Sequence, residues 1–230
     1  MSTLFVSDLH LDSVRPHILD AFDRFIVEHA PSADALYILG DLFEAWIGDD
    51  SGDEAGRRFV DAMKPLRDAH KPCFFIHGNR DFLLGEAYAR RAGMTLLADP
   101  SVVEIEGVRT LLMHGDTLCT DDTAYQVFRA QARSPAWQRA FLARPRSERE
   151  TFARQARAES QRYTTDTTNS ALMDVNDEAV RAAMRANGCL RLIHGHTHRP
   201  ATHRFELDGQ PAERIVLGDW YEHESWLVLA

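Results

Sequence analysis

The sequence predicts an α/β protein, a layered β-sandwich flanked by helices, into which a helical segment (residues 121–176) is inserted. Short apolar runs alternate with amphipathic stretches over the first half of the chain, which is typical of strands joined by helices. From about residue 120 to 187 the pattern is polar and helical, and three strand-like runs then close the chain. One domain spanning residues 1–230 is long enough to bury a full hydrophobic core around such an insertion.

Runs of leucine, aromatic and β-branched residues predict the strands. In the first half they cover residues 3–7, 35–39 and 73–77, followed by a hairpin of 102–105 and 108–113. Near the end they cover residues 190–193, 202–207, 214–217 and 226–229. Apolar residues spaced three and four apart predict intervening helices over 17–30, 59–66 and 82–92.

The charge pattern limits the classes of partner. A net charge of −9 argues against general nucleic-acid binding. Between Arg129 and Arg162, however, nine arginines and three glutamates give a local charge of +6, so the rest of the chain sums to −15. We therefore expect this basic segment to face something anionic.

The sequence carries no sign of export or of a membrane span. No apolar run approaches the roughly 18 residues that a spanning helix needs. The stretch Met1 to Phe5 has no basic segment followed by an apolar one, so we expect no signal peptide. Three widely spaced cysteines without a CxxC pattern are expected to be buried free thiols in a reducing compartment, namely Cys73, Cys119 and Cys189.

Potential metal ligands follow five of the apolar runs: Asp8 and His10, Asp41, Asn79, His114, and His196 with His198. Because binding sites in layered α/β sheets form at the carboxyl ends of strands, we expect these residues to share one rim. Oxygen and nitrogen ligands without thiolate favour Mn, Fe or Zn, and the set suffices for two cations that share a carboxylate. A single aspartate after a strand is more often a turn residue, and a histidine-rich loop can be merely solvated, so only the whole set supports a metal site.

The ordered motifs Asp-x-His, Gly-Asp, Gly-Asn-x-Asp, His-Gly-Asp and Gly-His-x-His, which span residues 8–198, resemble the calcineurin-like metallophosphoesterases. The resemblance implies that one metal binds Asp8, His10 and His198, that a second binds Asn79, His114 and His196, and that Asp41 bridges the two. We expect Asp41, Asn79 and His114 to take part in catalysis together with Arg80, whereas His194 is left as a structural neighbour.

Arg80 departs from the pattern, because many members of that superfamily have histidine at this position. An arginine does not give up its proton at useful pH, but it can hold a diphosphate by bidentate hydrogen bonds and stabilise developing charge. The departure therefore favours a diphosphate substrate whose leaving group is already good.

Longer stretches, among them residues 36–50, 77–85, 114–122, 173–176 and 193–200, resemble the lipid A pathway pyrophosphohydrolases that act on UDP-2,3-diacylglucosamine. The resemblance implies two Mn²⁺ per chain and release of UMP and 2,3-diacylglucosamine 1-phosphate, with metal-activated water attacking the phosphorus nearer uridine. It assigns substrate contacts to Asn79, Arg80, Asp122, Ser160, Thr164, Thr167 and His196. Thr164 and Thr167 stand where that family often has Asn and Lys.

The resemblance also implies a lipid-linked UDP-sugar as substrate and peripheral attachment to the anionic cytoplasmic face of the inner membrane. It implies neither nucleic acid nor an obligatory protein partner. A metallophosphodiesterase for soluble nucleotides, or a scaffold that has lost its metals and binds proteins, are the alternatives.

The insertion has two interpretations. It is either an ordinary helical pair with a solvated basic face, or a lid whose apolar side holds acyl chains while its arginines meet diphosphate or membrane. Each buried lipid CH₂ contributes about 0.8 kcal/mol, so an acyl groove would dominate substrate affinity. The candidate apolar residues are Tyr125, Val127, Phe128, Trp137, Phe141, Leu142 and Phe152.

Overall fold

The computed structural model describes residues 2–165 and 174–230. Ten strands lie within these residues: β1 (Thr3–Val6), β2 (Ala35–Ile38), β3 (Cys73–Ile76), β4 (Met94–Leu97), β5 (Ser101–Ile105), β6 (Val108–Leu112), β7 (Arg191–His194), β8 (Ala201–Leu207), β9 (Gln210–Val216) and β10 (Leu227–Leu229). The same part of the chain contains eight α-helices: α1 (Pro16–Glu28), α2 (Glu54–Ala62), α3 (Lys64–Asp68), α4 (Glu86–Ala92), α5 (Thr123–Ala132), α6 (Pro135–Leu142), α7 (Arg146–Thr165) and α8 (Asp177–Asn187).

The described strands form two five-stranded sheets, ordered β10-β1-β2-β3-β4 and β5-β6-β7-β9-β8. Strands β1 to β4 are parallel, and β10 runs antiparallel to β1. In the second sheet β6, β7 and β9 are parallel, with the antiparallel strands β5 and β8 at its edges. The carboxyl ends of β1, β2 and β3 therefore meet at one edge, as do those of β6 and β7.

Strands of the first sheet contribute to two hydrophobic layers, because successive side chains of a strand point to opposite faces. Phe5 and Ile76 point between the sheets, where they join Leu112, Ile193 and Ile215. The neighbouring residues Leu4 and Val6 point outward and pack under helices α1 to α4. They belong to the main core, a cluster that also contains Phe22, Phe59 and Tyr88. On the outer face of the second sheet, Val180 and Met184 of α8 pack on Leu111 and Leu192. The predicted layered sandwich flanked by helices is confirmed.

The structure differs from the predicted elements in several places. Strand β9, predicted over 214–217, begins already at Gln210. The predicted helix over 59–66 is broken at Met63, with Pro65 in the first turn of α3. The helix predicted from residue 82 begins at Glu86, because the residues before it form a turn in which Leu84 N donates to Asp81 O. Strand β4 was not predicted, and it extends the first sheet beside β3.

The inserted helices α5 to α7 pack on the body through both aromatic and ionic contacts. Phe141 is buried in the main core, and its ring stacks on Trp137 at 4.8 Å between centroids. Phe152 meets Phe141 edge-on at 5.3 Å. Arg149 is only 2% exposed, donates to Ile47 O at 2.5 Å and pairs with Asp50.

The three cysteines, Cys73, Cys119 and Cys189, are buried free thiols, as expected. In the part of the chain that the structure describes, no helix combines the length and apolarity that a membrane crossing requires.

Candidate metal centre

The backbone at the strand ends brings the predicted ligands together in unusual conformations. Five of the eight described non-glycine residues with positive φ are predicted ligands: Asp8 (53°), His10 (48°), Asp41 (51°), His196 (69°) and His198 (54°). Asp and His tolerate this region better than most residues, but it still costs free energy that the surrounding structure must offset. Such a cluster of strained residues is typical of a functional site.

Two glycines allow the strand ends to approach each other. A Cβ atom at Gly78 would collide with the carboxylate of Asp41, and one at Gly195 would collide with Asp8 and Ser7. The loops after β2 and β3 are therefore packed against each other, as are those after β1 and β7.

The first predicted ligand group consists of Asp8, His10 and His198. Nε2 of His198 lies 3.3 Å from Asp8 Oδ1 and 3.2 Å from His10 Nε2. Atoms that bind one ion at about 2.0–2.2 Å lie about 3 to 3.5 Å from each other, so these separations suit a shared cation. The other Asp8 oxygen, Oδ2, accepts from His196 N at 2.9 Å, which fixes the carboxylate in place.

The second predicted group surrounds Asn79. Its Oδ1 lies 2.9 Å from His114 Nε2 and 3.0 Å from His196 Nδ1. Asp41 stands between the two groups, with Oδ1 3.7 Å from His114 Nε2 and Oδ2 4.0 Å from His10 Nε2. Both aspartates are almost fully buried, at 0% exposure for Asp8 and 2% for Asp41. All seven predicted ligands thus line one buried centre.

The hydrogen bonds of two histidines indicate which nitrogen remains for a metal. His114 Nδ1 lies 2.9 Å from Leu39 O, and since a carbonyl oxygen only accepts, Nδ1 carries the proton. In the neutral ring, Nε2 then directs its lone pair at the oxygens of Asn79 and Asp41. His198 repeats this arrangement, with Nδ1 3.1 Å from Asp219 Oδ2 and Nε2 toward Asp8. When both rings are neutral, these two Nε2 atoms offer lone pairs on the side of the centre where a cation would bind.

The carboxylates of the centre also raise the pKa values of two of its histidines. Burial opposes charge on His198, but hydrogen bonds to Asp219 and Asp8 outweigh it and raise its pKa to about 10. Burial also opposes charge on His114, whereas the attraction of Asp41 and Asp8 raises its pKa to about 9. Burial raises the pKa of Asp41 itself. The buried carboxylates thus favour positive charge in the centre. Protonated histidines supply that charge, and divalent ions bound by neutral imidazoles would supply it equally.

Further residues support the centre, and the sequence reasoning missed them. Asp219 orients His198, as described above. Tyr221 stacks on the His10 ring with centroids 5.0 Å apart and an interplanar angle of 6°. Asp81, fully buried, accepts from Gly78 N at 2.8 Å and Leu42 N at 2.7 Å, and so ties the loops after β2 and β3 together. The run Gly-Asp-Trp-Tyr at 218–221 predicts polar side chains after a strand, but it does not predict which residues they contact.

Asp116 connects the centre to the insertion. Its Oδ2 accepts from Tyr125 Oη at 2.6 Å and from Arg129 Nε at 2.7 Å, while Arg133 donates to Gly78 O at 2.9 Å. The Tyr125 ring lies over His196, with centroids 6.2 Å apart. Helix α5 is thereby held directly above one group of predicted ligands.

The residues predicted to contact substrate are distributed around this centre. Arg80 is half-buried, donates its backbone N–H to Asp41 Oδ1 at 2.8 Å and places Nε 3.9 Å from Asp41 Oδ2. Asp122 caps α5, accepting from Tyr125 N at 3.0 Å. Ser160 is half-buried on α7, one turn beyond Arg157, which pairs with Glu44.

The remaining predictions lie elsewhere. Thr164 falls in the last turn of α7, where side chains are outside the described part of the chain, and Thr167 lies outside the described residues altogether. His194, predicted to be a structural neighbour, is fully buried, and its Nδ1 lies 2.9 Å from Gly195 O.

Residues 1–200 match the family model of the calcineurin-like phosphoesterases, and the chain belongs to this family. Its curated relatives include a protein of Stenotrophomonas maltophilia that is 54% identical over 99% of this chain and 94% of its own length. Another, from Xanthomonas oryzae, is 54% identical over 100% of this chain and 95% of its own. Both are named UDP-2,3-diacylglucosamine hydrolase.

A solved structure of zinc-bound Vps29 from Entamoeba histolytica also aligns with the chain. It is 15% identical, with a TM-score of 0.48 over 100% of this chain and 86% of that one.

Proposed function

We propose that this protein is a metal-dependent pyrophosphohydrolase that cleaves UDP-2,3-diacylglucosamine to UMP and 2,3-diacylglucosamine 1-phosphate. The observation that carries the proposal is the match over 99–100% of the chain to relatives named for hydrolysis of this compound. A buried centre of aspartate, asparagine and histidine side chains at the strand ends is consistent with that chemistry.

Two divalent ions are part of the proposal. Asp8, His10 and His198 would hold one and Asn79, His114 and His196 the other, with Asp41 shared. The support is geometric: Asp8, His10 and His198 have ligand atoms within 4.8 Å of one another, as have Asp8, Asp41 and His114. The set contains oxygen and nitrogen but no thiolate, which suits Mn, Fe or Zn. Of these we propose Mn²⁺, as the resemblance to the lipid A pathway pyrophosphohydrolases implies.

When bound, such ions lower the pKa of a water molecule and neutralise charge on phosphoryl oxygens. The chain itself positions the substrate. Arg80, whose backbone is tied to Asp41, has a guanidinium at the edge of the centre that suits bidentate binding of the diphosphate. Developing negative charge on the leaving phosphate would be stabilised by the same group. Asn79 and His196 add polar contacts beside it.

The insertion is proposed as a lid over the substrate. We propose that Asp122, Ser160, Thr164 and Thr167 contact the substrate. In the described part of the insertion, three large apolar side chains are exposed, namely Val127 (71%), Phe128 (41%) and Leu142 (40%). By contrast, Trp137, Phe141 and Phe152 pack against the main core. The acyl chains would therefore contact the exposed set.

We also propose peripheral attachment to the cytoplasmic face of the inner membrane, through these apolar residues and the arginines around them. Charge attraction of this kind weakens as ionic strength rises. The protein should then sediment with anionic vesicles at low salt and be released at high salt. If it stays in the supernatant with such vesicles at low salt, the attachment is wrong.

The function itself is tested by UMP release from UDP-2,3-diacylglucosamine, with Mn²⁺ added to metal-stripped protein. Robust Mn²⁺-dependent release is expected, together with much weaker hydrolysis of bis-p-nitrophenyl phosphate. A clear preference for bis-p-nitrophenyl phosphate would instead favour a phosphodiesterase for soluble nucleotides.

A further inference from the structure

Glu44, in the loop after β2, contacts the metal centre and the insertion with different atoms. Its Oε1 forms an ion pair with Nε of Arg157 on α7. Its Oε2 lies 3.7 Å from Nδ1 of His10, accepts from Tyr221 Oη at 3.2 Å and pairs with Arg15. The side chain is only 12% exposed, so these contacts are shielded from water. One carboxylate thus joins a proposed metal ligand to a helix of the insertion.

The carboxylate of Glu44 lies beside the nitrogen of His10 that faces away from the proposed metal ligands. Its Nε2 faces the proposed metal ligands, and its Nδ1 is buried without a hydrogen-bond partner in the described structure. Tyr221 covers one face of the ring. Histidines that bind metals generally direct their second nitrogen at a carboxylate, a carbonyl or water, and loss of that group typically weakens metal binding 10- to 100-fold. Glu44 is the carboxylate within 4.0 Å of this nitrogen.

Two of the ion pairs between helix α7 and the body lie two turns apart. Near its start, Arg149 pairs with Asp50, and further along, Arg157 pairs with Glu44. Between the helix and the body lies a cavity of about 230 Å³, lined by residues that include Leu11, Glu44 and Ala153. Glu44, the partner of Arg157, thus lies at the edge of this cavity.

We propose that Glu44 is a positioning residue that couples the docking of α7 to metal binding at Asp8, His10 and His198. The inference rests on the proposed metal site. Metal binding orders His10 and with it Glu44, which holds Arg157; conversely, a docked α7 keeps Glu44 beside His10. Because such coupling is reciprocal, each event must favour the other by the same factor. The proposed substrate residue Ser160 lies one turn beyond Arg157, so the same contact places it.

The test measures Mn²⁺ affinity and amide exchange of α7 in the metal-stripped full chain, without substrate. In the wild-type protein, Mn²⁺ should slow exchange in the half of α7 around Arg157. Glu44→Gln, which keeps the shape of the side chain, should weaken binding at one Mn²⁺ site about 10-fold or more. In both Glu44→Gln and Arg157→Met, Mn²⁺ should no longer slow this exchange.

Asp50→Asn is the matched control, since it breaks the other ion pair of α7 without touching His10. It should speed exchange near Arg149 but leave Mn²⁺ affinity and the Mn²⁺-dependent slowing around Arg157 unchanged. Unaltered Mn²⁺ affinity in Glu44→Gln, or equal Mn²⁺-dependent slowing in Arg157→Met and wild type, would overturn the proposal. Failure of the proposed function shows up separately, as a wild-type protein that binds Mn²⁺ without releasing UMP.

Discussion

At the scale of single residues, the proposed metal ligands are themselves fixed in place by hydrogen bonds from their neighbours. Asp8 is fixed by the backbone N–H of His196, and Asp41 by that of Arg80. The positive φ at Asp8 and Asp41 also restricts what can replace them, because β-branched or bulky residues are strained there. Each of these positions combines a chemical and a conformational requirement.

Asp41→Ala should reduce UMP release by several orders of magnitude. The shared carboxylate contributes to both ligand groups, so its loss removes a ligand from each. Metal analysis of the purified variant should show loss of both Mn²⁺ ions, whereas Asp20→Ala, at a carboxylate on the outer surface of α1, serves as the control. Near-normal turnover in Asp41→Ala would contradict the two-metal assignment.

Asp219→Asn should weaken one Mn²⁺ site by about 10- to 100-fold and leave the other intact. Asp219 lies 3.1 Å from Nδ1 of His198, and His198 belongs to one ligand group alone. Calorimetric titration with Mn²⁺ resolves the two sites. Asp208→Asn, at an exposed carboxylate paired with Arg185, should bind both ions normally; equal behaviour of the two variants would argue against the orienting role.

At the scale of secondary-structure elements, loops that carry ligands are fixed by the helices beside them. Helix α8 shows how this works at the edge of the insertion. Asn176 caps it, accepting from Glu178 N at 3.0 Å and Ala179 N at 3.1 Å. The same side chain donates to Asp121, next to the cap of α5. Two helices thus share one junction.

Asn176→Ala should lower the free energy of unfolding by about 1 kcal/mol, since two N–H groups of the first turn lose their acceptor. Urea denaturation followed by circular dichroism measures the difference. Asn176→Ser, which retains a capping oxygen and adds no charge beside Asp121, should lose distinctly less stability. The cap is unimportant if the alanine and serine variants unfold at the same urea concentration.

The strands that carry ligands could be predicted because each apolar run ends in polar residues, accompanied by a glycine in all but the first. Strand β4 lacks such an ending, and its four residues alone do not distinguish a strand from a loop. Glu44 and Tyr221 illustrate the limit for the site. Their partners, Arg157 and His10, lie more than 100 residues away in sequence, so only the fold brings them together. Local pattern therefore predicted the proposed ligands but not the residues that orient them.

At the scale of the whole molecule, the two sheets meet in the centre. Asp8, His10, Asp41 and Asn79 follow strands of the first sheet, whereas His114, His196 and His198 follow strands of the second. Each proposed metal group contains side chains from both. Bound ions would therefore connect the sheets at one edge of the sandwich, in addition to the apolar layer between them.

Removal of metal by a chelator should lower Tm. A ligand that binds only the folded state adds about 2.7 kcal/mol per site at 100 times its Kd. For a chain of this size that corresponds to roughly 5–10 °C per site. Calorimetry with and without Mn²⁺ measures the shift, and Asp41→Ala should show almost none. An unchanged Tm in the wild-type protein would mean that no ion binds this centre.

The meeting of the two sheets at the centre has a kinetic consequence. The proposed ligands extend from Asp8 to His198, and contacts between distant parts of a chain form slowly because loop closure costs entropy. Helices such as α7 can form long before the sheets are paired, but a complete ligand set cannot. During refolding, uptake of Mn²⁺ should therefore coincide with the slowest phase, after most helical signal has returned. Uptake of Mn²⁺ would then report that the two sheets have paired and that folding is complete.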